Sequence, residues 1–234
     1  MLKYHNKVML DMPPYNTEYL DDILAAIDKL YLLKFKYVSG FGVESDMVLA
    51  PTFVRYYKQR WYVIGVKSEE RGVKNSSAEA GVKDGSCAID EKKLVRCLPF
   101  DRIGFLKVIC EKHPLSKEMK KFLTPENYYD GCYGIYRMDD VPVEQVRIRA
   151  FYPEYNYIEE VPLHESQQKV KEAKDGMYRE YTLTVRPSRD FLQELLWHGR
   201  NVIVLKPESL RQKIIGILKD MTDSYETGEC RNGE

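Results

Sequence analysis

Apolar residues recur at helical spacing early in the chain and alternate with polar residues further along. In residues 19–33 they recur every three or four positions, which predicts one amphipathic helix. Asn16 or Thr17 is its candidate cap, and acidic residues in the first turn suit the helix dipole. The apolar positions of this helix are Leu20, Ile23, Leu24, Ile27, Leu30 and Tyr31.

Five short runs rich in β-branched and aromatic residues follow the helix. They are residues 33–38, 47–57, 60–67, 94–98 and 103–109. Gly40-Phe41-Gly42 and Lys58-Gln59 stand where turns are needed. This pattern predicts a small antiparallel meander that can curl into a barrel. Residues 67–93 are dominated by Ser, Glu, Gly, Lys and Ala, which predicts an exposed, mobile loop.

A second pattern begins near residue 143. Residues 144–151 and 178–185 alternate as half-buried strands. Ser188-Arg189-Asp190 caps a helix over 191–198, and Gly199 closes it. A strand at 201–205 precedes Pro207 and a last helix that runs to about residue 221. Helices mixed with strands in this order predict a compact α+β domain of roughly 80 residues.

The chain is therefore divided at changes in pattern and composition. A weak helix at 111–123 and a tyrosine-rich stretch through Tyr136 separate the two patterned regions. The predicted parts are an N-terminal segment with its helix (1–33), the barrel (34–110), a connector (111–142), the C-terminal α+β domain (143–225) and a tail (226–234).

Composition narrows the class of protein further. Lys plus Arg equals Asp plus Glu at 36 each, so net charge indicates no preference for nucleic acid or membrane. Residues 34–107 carry 14 basic and 9 acidic side chains, a net charge of +5. The absence of a signal peptide or a long apolar run predicts a cytoplasmic protein of a bacterium or archaeon. The five cysteines are odd in number and have no C-x-x-C spacing, so no disulfide framework is predicted. The four histidines have no H-x-x-H or H-E-x-x-H spacing, so no metal or other cofactor is predicted.

Basic residues next to aromatic residues or strand cores are the candidate chemistry. Arg60, Arg96 and Arg102 stand beside such segments, and guanidinium groups pair with phosphate while aromatic rings stack on bases. Neighbours on a strand point to opposite faces, so we interpret Trp61 as core and give Tyr62 equal chances of core or ligand surface. Arg102 with Asp101 is alternatively a structural ion pair, and Arg60 a solvated residue. Tyr37 and Ser39 either complete a polar patch that can donate to phosphate oxygens or are ordinary polar residues at a strand edge.

Several segments together resemble the WYL domain, which is named for a Trp-Tyr-Leu motif. They are Phe35-x-Tyr37, Ala50-Pro51, Arg60-Trp61-Tyr62-Val63 and Phe100-Asp101-Arg102-Ile103, with Val63 in place of the motif's Leu. Pro162-Leu163-His164-x-Ser166-Gln167, Gly199 and Leu205-x-Pro207 resemble the C-terminal extension of WYL transcriptional regulators. The matches run from about residue 20 to residue 225.

The resemblance implies a fold and a biological role. We predict an α+β protein with an N-terminal helix, a small Sm-like or SH3-like antiparallel β-barrel, and a compact ferredoxin-like C-terminal domain. Such regulators usually carry a winged helix-turn-helix before the WYL domain. Only about 19 residues precede the first helix here. We therefore expect either that a DNA reader was trimmed away or that the protein acts without its own.

The expected function is ligand sensing in transcription control, without enzymatic activity. The barrel is expected to bind a nucleotide or a short single-stranded nucleic acid, and the C-terminal domain to form a homodimer and transmit the signal. The expected ligand residues are Tyr37, Ser39, Arg60, Tyr62, Arg96 and Arg102. Arg147 and Arg149 extend a basic groove or form a solvated face.

Two alternative functions are compatible with the sequence. One is a protein-interaction module without a small ligand. The other is an enzyme, for which no P-loop, G-x-S-x-G or metal-spaced motif supplies the parts. His164 near Ser166 lacks an evident nucleophile and orienting acid, which favours a structural histidine.

Overall fold

A computed structural model describes residues 14–68, 91–113 and 115–229. The chain divides into two compact units, Met1–Tyr128 and Tyr129–Glu234, and the division falls inside the predicted connector. Most of the loop predicted at 67–93 lies outside the described residues.

The N-terminal unit begins with a helix and continues as one antiparallel sheet. Helix α1 spans Leu20–Lys29 and is followed by strands β1 (Tyr31–Val38), β2 (Glu44–Tyr57), β3 (Arg60–Ser68), β4 (Val95–Pro99) and β5 (Ile103–Lys112). The strand order is β4-β3-β2-β1-β5. Within the described residues β4 and β5 are the two edges and do not pair, so the sheet is open. Two short helices follow, α2 (Lys117–Phe122) and α3 (Pro125–Tyr128).

The sheet of the N-terminal unit is buried on one face by α1. Helix α1 places Ile23 and Ala26 in a core that the strands complete with apolar side chains of one parity. This core also contains Leu33, Phe35, Leu49, Val63, Leu98, Phe100 and Ile103. A bulge between Pro51 and Phe53 reverses the side-chain parity of β2. Phe53 consequently meets Tyr128 of α3 edge-to-face, with ring centroids 5.8 Å apart.

The C-terminal unit is a four-stranded antiparallel sheet with helices between its strands. Its elements are β6 (Glu144–Phe151), α4 (Glu154–Glu160), β7 (Gln168–Glu172), β8 (Tyr178–Val185), α5 (Arg189–Trp197), β9 (Val202–Lys206) and α6 (Glu208–Thr227). The strand order is β7-β8-β6-β9. Val146, Ile148, Tyr181 and Leu183 point from one face into a core shared with α4 and α5. The opposite face of this sheet carries polar and aromatic side chains.

The structure confirms an α+β protein built on two antiparallel sheets and differs from the sequence prediction at several boundaries. The first helix was expected to reach residue 33, but Leu30 adopts a left-handed conformation (φ 56°) and β1 begins at Tyr31. Strand β5 and helix α2 replace the weak helix expected from residue 111. The last helix extends to Thr227. No helix in the described part of the chain is long and apolar enough to cross a membrane.

Candidate functional site

The candidate site is built on the turn that joins β4 to β5, residues Phe100–Arg102. This turn runs from Pro99, which pairs with Tyr62 of β3, to Ile103, which pairs with Tyr37 of β1. Phe100 is fully buried and anchors the turn to the core. The turn therefore crosses one end of the sheet and holds Asp101 and Arg102 at the surface.

Asn16 fastens this turn and was not recognised as part of the site from sequence. Its side-chain amide donates to the carbonyl oxygens of Phe100 and Ile103, both at 2.9 Å. Asn16 has a left-handed backbone (φ 55°), which Asn tolerates better than most residues. The sequence signalled Asn16 only as a helix cap, and its side chain makes no cap hydrogen bond.

Asp101 pairs with Arg60 and not with its neighbour Arg102. Arg60 Nε donates to Asp101 Oδ1 at 3.2 Å, and Arg60 Nη2 donates to Asp101 Oδ2 at 2.6 Å. The Arg60 guanidinium also lies 5.7 Å from the ring centroid of Tyr62. This ion pair neutralises the charge of Arg60 and holds the turn to the start of β3.

Arg102 lies against the loop that joins β1 to β2. A Cβ atom added to Gly40 would be 3.2 Å from Arg102 Nη1 and 3.6 Å from Nη2, so the guanidinium packs directly on the glycine backbone. Arg102 is partly exposed, and within the described ranges it has no ion pair or hydrogen bond. Its charge is therefore available to a ligand.

Ser39 and Tyr37 lie beside Arg102 but are partly committed to the fold. The Ser39 hydroxyl accepts hydrogen bonds from the backbone N–H groups of Phe41 (3.3 Å) and Val43 (3.1 Å). Ser39 follows the end of β1 and so shapes the loop. Tyr37 packs partly against the core, opposite Ile103. We call Tyr37, Ser39, Gly40, Arg102 and the Arg60–Asp101 pair the turn cluster.

The structure does not bring Arg96 and Tyr62 to this surface. Arg96 lies on β4, opposite Gly65 of β3. It is three residues before Pro99, a distance of about 10 Å along a strand. Its Nη1 atom donates to the carbonyl oxygens of Lys93 and Val95, both at 2.8 Å. Tyr62 is only 4% exposed and is therefore a core residue. Trp61 is half-buried and packs near Phe100 at 6.3 Å between ring centroids.

Arg147 and Arg149 share the outer face of the C-terminal sheet, where Glu180 holds both. Arg147 Nε donates to Glu180 Oε2 at 2.9 Å, and Arg149 Nη2 donates to Glu180 Oε1 at 2.7 Å. Burial alone raises the pKa of Glu180, but the hydrogen bonds from the two guanidinium groups outweigh burial and lower it. The two arginines are thus a fixed pair and not freely solvated side chains.

His164 and Ser166 lie in a turn beside β8. The Ser166 hydroxyl donates to the Thr184 carbonyl oxygen at 3.1 Å and accepts from the Thr184 N–H at 2.8 Å. Ser166 and His164 thus fasten a turn to β8, and burial lowers the pKa of His164. No group of three or more metal-ligating side chains is found in the described ranges.

Comparison with known proteins identifies both units. The family profile of the WYL domain matches residues 18–75, and that of the WCX domain matches residues 142–222. The first match covers α1 to β3 of the N-terminal unit, and the second covers β6 to most of α6 of the C-terminal unit. The chain belongs to the WYL-domain proteins, as the sequence resemblance predicted. No curated protein matches the chain.

Two solved structures are similar to the chain at low identity. One is the proteasome accessory factor B/C (PafBC) of Arthrobacter aurescens, with 14% identity and a TM-score of 0.37 over 97% of this chain and 30% of that one. The other is a CRISPR Cas-related protein, with 11% identity and a TM-score of 0.46 over 90% of this chain and 52% of that one. The chain thus spans about a third and about half of their lengths.

Proposed function

We propose that this protein is a non-enzymatic, ligand-sensing transcriptional regulator whose turn cluster binds an anionic ligand, a nucleotide or a short single-stranded nucleic acid. The observation that carries the proposal is Arg102, a partly exposed guanidinium without an ion pair among the described residues. It stands on a turn fastened by Asn16 and by the Arg60–Asp101 pair. A charge held in this way binds phosphate with little loss of side-chain entropy.

The folds of both units are consistent with this role. We propose that the five-stranded sheet is an Sm-like or SH3-like barrel that is left open between β4 and β5, supported by the meander β1 to β4 and the return of β5 to β1. We propose a ferredoxin-like C-terminal domain, supported by the β-α-β-β-α-β order from β6 to β9 and the strand order β7-β8-β6-β9. A separate or attached helix-turn-helix would supply the contact with DNA.

We expect binding of a fluorescein-labelled oligo-dT to be sensitive to salt, because phosphate contacts release counterions. Fluorescence anisotropy should give a dissociation constant that rises steadily between 50 and 200 mM salt, values set for the experiment. An unchanged anisotropy at the lowest salt concentration would refute nucleic-acid binding at this site.

A protein-docking module is the second candidate, because apolar side chains surround the turn cluster. Phe41 is 96% exposed, Val43 63% and Phe105 78%. Exposed apolar residues grouped in one region are typical of protein interaction sites. Repeating the oligonucleotide titration with Arg102→Gln separates the two functions, because this substitution leaves oligonucleotide affinity unchanged if the turn cluster is only a docking surface.

Homodimerisation through the C-terminal unit is the other part of the proposal. Helix α6 has 20 residues, yet only Leu210 is buried, and Leu218 (47% exposed) and Met221 (44%) leave an apolar stripe uncovered. This stripe borders a groove of about 400 Å³ beside β9, an edge strand. Uncovered apolar surface next to a strand edge indicates a partner.

The charges of α6 favour a second copy of the chain as that partner. Its first half carries Arg211 and Lys213 against Glu208, and its second half carries Asp220, Asp223 and Glu226 against Lys219. Two copies of α6 in antiparallel contact place the basic half of each against the acidic half of the other.

Leu218→Glu is expected to convert the dimer to a monomer, because it puts a charge into the apolar stripe. Sedimentation velocity should show the loss of the dimer at micromolar concentration. The matched control is Gln212→Glu, which adds the same charge at an exposed position on the same helix. A wild-type protein that sediments as a monomer would contradict the proposed dimer.

A further inference from the structure

The outer face of the C-terminal sheet is a second candidate binding surface that is independent of the turn cluster. Successive residues of a strand point to opposite faces, and the core takes Val146, Ile148 and Ala150 of β6. The remaining β6 residues and their cross-strand partners on β7 and β8 therefore share the outer face. They include Arg147, Arg149, Phe151, Lys171, Tyr178 and Glu180.

The two central strands of this sheet carry an aromatic pair on that face. Phe151 of β6 and Tyr178 of β8 are directly opposed in register, with ring centroids 6.3 Å apart in an edge-to-face arrangement. Both side chains are half-buried. The Arg149 guanidinium lies 4.1 Å from the Tyr178 ring centroid, and the Lys171 ammonium lies 5.6 Å from it. Planar groups and cations thus form one continuous platform.

The charge of this platform is positive and fixed in place. Glu180 is 2% exposed and accepts hydrogen bonds from the Nε and Nη2 atoms of both arginines. Lys171 is 3.9 Å from the same carboxylate. Three cations around one buried anion leave a net charge of +2. The Nη1 atoms of both arginines take no part in these bonds, and within the described part of the chain they have no other hydrogen-bond partner, so they can donate to a phosphate.

We propose that this face binds single-stranded nucleic acid, with unpaired bases stacking on Tyr178, Phe151 and the Arg149 guanidinium and with phosphates contacting Arg147, Arg149 and Lys171. Sheets with aromatic residues on their central strands bind single strands in this way, because every base has a stacking face. Duplexes are disfavoured, since their bases are already stacked. The inference goes beyond the proposed function and stands if the turn cluster binds nothing.

Photocrosslinking locates the ligand directly on the full-length protein. Oligonucleotides of 5-iodo-deoxyuridine and of 5-iodouridine are irradiated with the protein, and the crosslinked peptides are identified by mass spectrometry. We expect crosslinks to Phe151 or Tyr178, and the stronger of the two probes distinguishes DNA from RNA. Crosslinks confined to the N-terminal unit, or none at all, would overturn the inference.

Variants then measure the contribution of this face to affinity in an Arg102→Gln background, which removes the turn cluster. Tyr178→Leu is expected to weaken oligonucleotide binding about 5-fold or more. Lys171→Gln should lower the slope of log affinity against log salt by about one contact. Lys169→Gln is the matched control, because Lys169 is similarly exposed (45% against 49%) but pairs with Glu159 on the other face.

The outcomes separate the two sites. If Tyr178→Leu and Lys171→Gln bind like Lys169→Gln, the inference fails, whatever Arg102→Gln does on its own. If only Arg102→Gln in the otherwise wild-type chain has no effect, the proposed function fails and the outer sheet face stands. Lys171→Gln also tests the inference if Tyr178→Leu does not fold.

Discussion

Gly65→Ala is expected to destabilise the N-terminal unit by about 3 kcal/mol or more, or to prevent its folding. A Cβ atom at Gly65 would be 2.4 Å from the Ala50 carbonyl oxygen and 2.9 Å from Pro51 Cα. Both are backbone atoms, so no side-chain rotation relieves the clash. The bulge of β2 after Pro51 brings its backbone over β3 at this point. Only glycine fits beneath it.

Gly104→Ala is the matched control for this substitution. Gly104 also lies in a strand of the same sheet, but a Cβ atom added there meets nothing within 4 Å. Its effect on the free energy of unfolding should be within about 0.5 kcal/mol. Thermal unfolding followed by circular dichroism compares the two variants. Equal melting temperatures for both would contradict the close approach of β2 and β3.

Glu180→Gln is expected to destabilise the C-terminal unit by about 2 kcal/mol at pH 7. Removing one partner of a buried ion pair costs roughly 3–5 kcal/mol, and less here because Arg147 and Arg149 stay partly hydrated. Their side chains are 37% and 28% exposed. Glu172→Gln is the control, because Glu172 pairs with Arg179 at a side-chain exposure of 45% and exposed ion pairs contribute little to stability.

The stability contributed by Glu180 should also depend on pH. Its pKa is lowered in the folded state, so the unfolded state binds more protons in acid. This stabilisation is complete above the ordinary glutamate pKa of 4.5 and is lost as pH falls through the lowered folded value. Urea unfolding at pH 7 and at pH 3, chosen for the comparison, should give a difference between wild type and Glu180→Gln that shrinks in acid. A difference that stays constant would show that Glu180 stays ionised or is not paired.

The sequence predicted those elements in which apolar and polar residues alternate or repeat regularly. Strands β6 and β8 were predicted at residues 144–151 and 178–185, the bounds that the structure has, because apolar core residues alternate with polar residues along them. Strand β7 was missed because all five of its residues are exposed, so its sequence has no apolar period. Helix α4 was missed because it is only seven residues long and buries just Tyr155 and Ile158.

The candidate site was only partly predictable for a related reason. Local motifs indicated Arg102 and Arg60, but the Asp101 partner of Arg60 is 41 residues away in sequence. Asn16 reaches the turn across 84 residues. Long-range contacts of this kind leave no trace in local spacing. Strand parity alone did not decide whether Tyr62 points to the core or to the ligand surface. Arg96 was predicted to act with Arg102 because the two are an even number of residues apart, but Pro99 and the turn interrupt the strand between them.

The most direct test of the central claim compares Arg102→Gln with Arg96→Gln. Both remove one guanidinium from the same sheet, but only Arg102 is free of hydrogen bonds among the described residues. Fluorescence anisotropy with labelled oligo-dT at low salt should show roughly tenfold weaker binding for Arg102→Gln, since one charged hydrogen bond contributes about 1.5 kcal/mol. Arg96→Gln should bind like the wild type. Equal affinities for the two variants would contradict an anion site at the β4–β5 turn.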